Sequence, residues 1–300
     1  MEASCEHDGV LHTIEHSWAS DYDESSCDTY RENICPEHHE SVFHEDVRGL
    51  DIAKLPKVDI LAFGFPCNDH SNVGESKGLY GEFGDLYKYG VRYLDEHRPK
   101  AFVAENVSGI NSGDSPALQQ ILSELVTAGE GYKVTCELYK FEDYGVPQNR
   151  HRYVIVGIRK DLEREFHMPA PAHSLAESEP VTSESALTAP PPHLVGFGIG
   201  PGSIKEGAPQ HEIRLPDPIV ERRLSVIPEG KNAWCEEVER DPELRINTRT
   251  KLSSIYRRLK RDQPAYTVTG SGGGGTYGYH WEENRALSNR EKARLQTFPD

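Results

Sequence analysis

Residues 58–67 read Val58-Asp59-Ile60-Leu61-Ala62-Phe63-Gly64-Phe65-Pro66-Cys67. A short apolar run closing on Gly-Phe-Pro suits a buried parallel strand that ends sharply. Working outward, residues 85–97 place Leu86, Tyr89, Tyr93 and Leu94 on one helical face, with Pro99 beyond the end. Ala101–Ala104 forms a second buried strand, and Ser115–Ala128 a helix that opens on Ser-Pro and closes before Gly129. Lys133–Phe141 and Arg152–Arg159 complete the set as strands. Strands alternating with helices predict an α/β protein with a doubly wound, mostly parallel sheet. Ligands of such sheets bind at the carboxyl ends of strands, so the residue that follows each strand carries the chemistry.

The 300-residue chain holds 33 Lys+Arg against 49 Asp+Glu, a net charge of -16, with 36% hydrophobic residues and a mean hydropathy of -0.65. That is too apolar for wholesale disorder, and no run approaches the ~18–20 apolar residues of a membrane span. The N-terminus has neither a basic start nor an apolar stretch, and the six cysteines form no CxxC pair. Reduced thiols in a cytoplasm follow as the expectation. Net charge alone argues against a polyphosphate partner, but binding depends on the local patch. Residues 1–50 hold thirteen acids and only Arg31 and Arg48, whereas 245–262 gather Arg245, Arg249, Lys251, Arg257, Arg258, Lys260 and Arg261 against Asp262. One pole of an acidic protein could thus attract phosphate. Pro, Ala and Ser crowd 169–193, a stretch expected to lack regular structure and to lead from one domain into another.

Three strand-associated clusters could do chemistry. The Cys67 thiol sits on a loop at the ligand edge, and a lowered pKa would make it a nucleophile; an inert half-buried thiol is the bland alternative. Strand-end position brings Glu105, in Ala104-Glu105-Asn106-Val107, to the same edge as a general acid or hydrogen-bond anchor. In Gln148-Asn149-Arg150-His151-Arg152, alternation puts Arg150 and Arg152 on one side. They suit a clamp on phosphate or a carbonyl oxygen, or they simply hold Glu105. His12 and His16, four apart, could share a helix face, and Cys35, His38 and His39 lie nearby. Without a matching second pair they read as surface residues and no metal site is expected.

Pro66-Cys67, then Glu105-Asn106-Val107, then Gln148-x-Arg150-x-Arg152, then the segment from Arg285 to Pro299 follow in an order that resembles the DNA cytosine-5 methyltransferase family. The likeness covers most of 20–160 and 255–300. It implies an S-adenosylmethionine-dependent methyltransferase fold with a smaller target-recognition domain, acting on double-stranded DNA. Cys67 would attack C6 of a cytosine flipped from the duplex, Glu105 would hold the N3 edge, and Arg152 would hold O2. Arg150 would support Cys67 or a neighbouring phosphate. Flipping is needed because C6 cannot be attacked inside a base stack. Ala19-Ser20-Asp21-Tyr22-Asp23 resembles the cofactor segment, so Asp21 would bind the ribose hydroxyls and Tyr22 cover the adenine. Asp46 matches the acid that contacts the adenine amino group, with Pro66 and Leu86 lining the pocket. Ser71, Arg257 and Arg258 are the implied DNA-backbone contacts. Thr267-Val268 and the glycine-rich loop with Gly272 and Gly273 resemble the segment that approaches the bases, valine replacing leucine.

The implied domains are 1–165 (catalytic and cofactor-binding), 166–284 (target recognition) and 285–300 (a return segment to the catalytic domain). Two family segments are not recognised within 1–300: the Phe-x-Gly-x-Gly turn at the start and a Gly-Asn-x-Val/Leu-Pro stretch at the end. Asn68 and His70 stand where Gln and Phe are usual. A working methyltransferase, one completed by a second chain, and a silent DNA-binding remnant all stay open at this level. The excess acid reads as a solvation device suited to a salt-rich cytoplasm, a halophilic expectation, since at ~1 M salt the Debye length falls to about 3 Å.

Overall fold

The structure, a computed structural model, describes residues 3–66, 85–111, 117–171, 179–248, 250–269 and 275–300. The chain divides into two compact units, Met1–Leu138 with Arg152–Met168, and Tyr139–His151 with Pro169–Asp300.

In the first unit, β1 (Ala3–His7) and β2 (Val10–Ile14) form an antiparallel hairpin whose two-residue turn, Asp8-Gly9, has both φ values positive. His12 therefore lies in a strand, and its spacing to His16 marks no helix face. The His16 Nε2 sits 2.8 Å from the Ser41 hydroxyl, its Nδ1 3.3 Å from that of Tyr30, and burial lowers its pKa. Next come β3 (Ala19–Asp21), α1 (Glu24–Asn33) and β4 (Val42–His44), with β3 and β4 parallel. Asp23 caps α1 by accepting from the Ser26 N–H at 2.8 Å.

The main sheet joins β5 (Ile60–Gly64), β6 (Ala101–Val107), β9 (His151–Arg159) and β7 (Tyr132–Lys140) in that spatial order. The ladder between β5 and β6 is parallel, while β9 enters antiparallel to β6, so the expected mostly parallel sheet is mixed here. Its core side buries Leu61, Phe102, Ala104 and Ile155 against α2 (Tyr87–His97) and α3 (Ala117–Thr127). Full burial of each large side chain contributes about 1.5–3 kcal/mol. The strands predicted to be buried on both faces are not. Ile60 and Val103, on the alternate positions, are 49% and 37% exposed.

The buried face of α2 centres on Tyr87, Tyr93 and Leu94 rather than on Leu86 and Tyr89. Gly90 explains the shift: a Cβ there would lie 2.4 Å from the Phe63 ring, so the helix meets β5 along that line. Gly157 on β9 makes room for Phe102 in the same way, a Cβ falling 2.1 Å from the ring.

The second unit is poor in strands. Two-residue β8 (Gln148–Asn149) pairs in parallel with β10 (Ala265–Tyr266). Helices α4 (Ser183–Thr188), α5 (Pro192–Gly196), α6 (Pro218–Val226), α7 (Glu236–Arg240) and α8 (Asn289–Leu295) pack on two cores. One gathers Leu187, Leu194, Leu259, Trp281 and Leu295, the other Leu224, Ile227, Val238, Ile255 and Tyr279. The Pro/Ser-rich stretch is thus partly regular, contrary to expectation. Thr182 caps α4 through the Ser185 N–H, and Pro180 and Pro190 fall outside the helix. Residues 285–300 belong to this second unit, where α8 packs on α4. Among the described residues no helix is long and apolar enough to cross a membrane, and Cys27, Cys35, Cys136 and Cys235 are free thiols.

Candidate active site

Parallel pairing sets Gly64, the last residue of β5, beside Glu105 of β6. Cys67 lies three residues beyond Gly64, and it and Ser71 fall outside the described residues. What precedes them is held firmly. Asn106, 1% exposed, donates from Nδ2 to the Phe65 carbonyl at 3.0 Å and accepts the Val107 N–H at 2.8 Å. A buried amide satisfied by both neighbours pins the chain one residue before Pro66. Sequence reading passed over Asn106. Its signal was a polar residue at the third of three core-facing positions, 102, 104 and 106.

The antiparallel register of β6 and β9 sets Val107 opposite Arg152 and Glu105 opposite Val154. Glu105 and Arg152 are therefore diagonal neighbours on one face of the sheet. The Arg152 Nε donates to Glu105 Oε1 at 2.7 Å, with Arg152 14% and Glu105 44% exposed. The carboxylate is oriented by a fixed guanidinium yet remains accessible, which suits a group that must meet a ligand. Arg150, two residues earlier, belongs to the second unit.

The residues expected to hold a cofactor sit at the carboxyl ends of adjacent parallel strands. Asp21 ends β3 beside His44 of β4, and the Glu45 N–H donates to the Asp21 carbonyl at 3.0 Å. Asp21 Oδ1 accepts from the Asp23 N–H at 2.9 Å, and the Tyr22 ring is 76% exposed. Asp46 forms a two-oxygen pair with Arg48, the shortest contact 2.6 Å. Those hydrogen bonds hold its carboxyl down at about 2. Pro66 follows β5 and Leu86 precedes α2, both half-buried. Two acids and an exposed aromatic ring at or just after neighbouring strand ends fit an adenosine: a diol acceptor, a ring cover and an amino-group acceptor. The Arg48 N–H, Nε and Nη2 already make four contacts to the Asp46 oxygens, so an adenine amino group there would share or displace them.

In the second unit Gln148 organises the expected base-facing segment. Fully buried, it donates to the Leu295 carbonyl at 3.1 Å and accepts the Val268 N–H at 3.0 Å. Thr267 donates to the Asn149 carbonyl at 2.7 Å. Gly272 and Gly273 fall outside the described residues. The basic run needs correction. Arg258 is 3% exposed and cannot meet a phosphate: its guanidinium donates to the carbonyls of Leu224 (2.6 Å), His280 (2.7 Å) and Glu283 (2.9 Å), and to Asn284. Arg257 lies 4.5 Å over the Tyr266 ring. Lys251 pairs with Glu239 at 2.8 Å, and Arg261 with Glu229 at 3.1 Å. The run is largely consumed inside its own unit.

The main sheet with the helices packed on it is an α/β fold. The fold matches that of an E. coli prophage protein described as a DNA modification methyltransferase, with a TM-score of 0.62 at 20% identity, over 94% of this chain and 82% of that one. Residues 2–300 match the C-5 cytosine-specific DNA methylase family, and the chain belongs to it. It is 50% identical to Type II methyltransferase M.BbvI of Brevibacillus brevis over 299 residues, 97% of this chain and 75% of that protein. It is 36% identical to Type II methyltransferase M.NgoFVII of Neisseria gonorrhoeae over 286 residues, 94% and 71% of the two. The protein is accordingly a DNA cytosine-5 methyltransferase, and the silent-remnant alternative is not favoured.

Proposed function

We propose that the chain methylates C5 of a cytosine flipped from double-stranded DNA, with Cys67 as nucleophile and S-adenosylmethionine as donor, as the modification member of a Type II system. The observation that carries the reading is the 2.7 Å ion pair of Glu105 with Arg152, beside the strand that leads into Cys67. The Cys67 thiolate adds to C6, and Glu105, in its protonated form, gives its proton to N3 and becomes the carboxylate paired with Arg152, so the ring's electron density collects at C5. Arg152 orients Glu105 and holds O2, while Asn106 fixes the approach to Pro66. When bound, S-adenosylmethionine supplies an electrophilic methyl group. Asp21, Tyr22, Asp46, Pro66 and Leu86 hold its adenosine end. The N3 proton then returns to the Glu105 carboxylate, the C5 proton leaves to water, and elimination expels the Cys67 thiolate and restores the ring. Arg150 supports this centre or a neighbouring phosphate, and Thr267 and Val268 with the glycines at 272 and 273 approach the bases. In domain terms, 1–165 would carry the chemistry and 166–284 the target recognition.

The test is transfer of labelled methyl groups to duplex DNA. Cys67→Ser abolishes transfer while DNA binding persists; full activity in that variant overturns the nucleophile assignment. The charge of -16 belongs to the same proposal as a solvation device for high salt. Moving from 0.1 M to about 1 M salt, where charges beyond about 3 Å are screened, raises the unfolding midpoint. A midpoint that falls refutes the halophilic reading.

A further inference from the structure

A cavity of about 420 Å³ lies within the second unit. Two cations line it from separate segments: Arg150 from the chain between β8 and β9, and Lys292 from α8. Thr269, Asn289 and Gln296 add uncharged hydrogen-bonding groups, and no carboxylate lines it among the described residues. The absence matters in a chain with 49 acids and 33 bases. Lys251, Arg261 and Arg285 each meet a carboxylate within this unit. The Lys292 ammonium meets none among the described residues. It stands 5.4 Å over the Tyr277 ring, and burial, with the nearby Arg214, outweighs the Glu291 carboxylate and lowers its pKa. A half-buried cation beside other cations, with polar groups converging and its one acting carboxylate, Glu291, already held by Arg285, is built for an external anion.

We propose that this cavity binds a phosphate group of the DNA strand, with Lys292 supplying the charge and Arg150 and the polar walls orienting the oxygens. The proposal rests on the reading of the chain as a DNA methyltransferase and adds a backbone contact that the basic run at 245–261 does not supply. A phosphate contact positions the protein without reading sequence. Its effect is therefore equal across unrelated duplexes.

The experiment measures binding of the full chain to two duplexes of unrelated sequence between 50 and 200 mM salt. Lys292→Met keeps the stem on Tyr277 and removes the charge. It weakens both complexes roughly fivefold, the upper order for one partly exposed charge pair. It also lowers the slope of log affinity against log salt by about 0.9, the share of one phosphate contact. Lys292→Arg restores both. An unchanged slope in a folded Lys292→Met protein overturns the proposal while leaving the methyltransferase reading intact. Wild-type chain that binds neither duplex overturns the DNA reading and this site with it. Inorganic phosphate that displaces the duplex at constant ionic strength from wild type and Lys292→Met alike also counts against Lys292.

Discussion

Arg152 is half-buried and Arg258 fully buried, and they do opposite work. Arg152, at the diagonal of the β6/β9 ladder, spends its Nε on a carboxylate that is itself 44% exposed. Arg258, in the second unit, gives its terminal nitrogens to three main-chain carbonyls and Asn284, and its Nε is buried without a hydrogen-bond partner. Burial lowers the pKa of that guanidinium, since no carboxylate stands by to offset desolvation. The first arrangement orients a carboxylate that stays partly exposed. The second ties a helix carbonyl and two loop carbonyls together and leaves nothing to offer. An arginine's role is set by what shares its fork, not by its charge.

The contrast can be broken in three ways, taken from the largest effect down. Glu105→Gln keeps the shape and a hydrogen-bond acceptor for Arg152 but removes the acid. Methyl transfer falls by about 10²–10⁴, the usual worth of a positioned general acid. Unfolding in urea shifts little, because an exposed ion pair contributes at most ~1 kcal/mol. Activity within tenfold of wild type would make Glu105 a mere partner of Arg152. Arg258→Met reverses the pattern: it strips donors from buried acceptors worth about 1–3 kcal/mol each and costs about 3 kcal/mol or more in the urea transition. Unchanged stability with lost DNA affinity would return Arg258 to the phosphate interface.

The smallest effect concerns Arg285, which does carry carboxylates, pairing with Glu291 at 2.8 and 2.9 Å. Burial pushes the Glu291 carboxyl up, but the hydrogen bonds and charge of Arg285 outweigh it, and the net sits below the usual 4.5. A carboxyl depressed in the folded state stabilises above its unfolded value and loses that contribution as pH falls through the folded one. Wild-type stability therefore declines as pH drops below 4.5. Glu291→Gln flattens that limb and costs about 1–3 kcal/mol at pH 7. Parallel pH profiles for the two proteins would place the acid sensitivity elsewhere.

Much of the candidate site could be proposed from sequence because its residues are tied to strand ends. Residues 60–64, 101–107 and 151–159 show strand patterns, and the motif residues at or after their ends follow from chain order alone. Asp21 and Asp46 were reached through the family resemblance, and the structure puts Asp21 at the end of β3 and Asp46 two residues after β4. Asn106 and Gln148 were not, since their worth lies in carbonyls and N–H groups reached only after folding: Phe65, Leu295 and Val268. The second unit was the least legible. Its two-residue strands and short helices carry almost no periodicity, and its cores assemble from residues scattered over 181–295.

Sequence by itself determined the α/β class, the order of the catalytic motifs and the strand-end acids, because hydrophobic periodicity and motif spacing are local properties. Only tertiary structure decided which charges remain available. Pairing of the basic run with Glu229 and Glu239, burial of Arg258, and the carboxylate-free cavity around Lys292 all depend on which distant segments become neighbours. A charge's partner is a matter of space rather than order along the chain, and that partner settles whether it binds substrate or holds the fold.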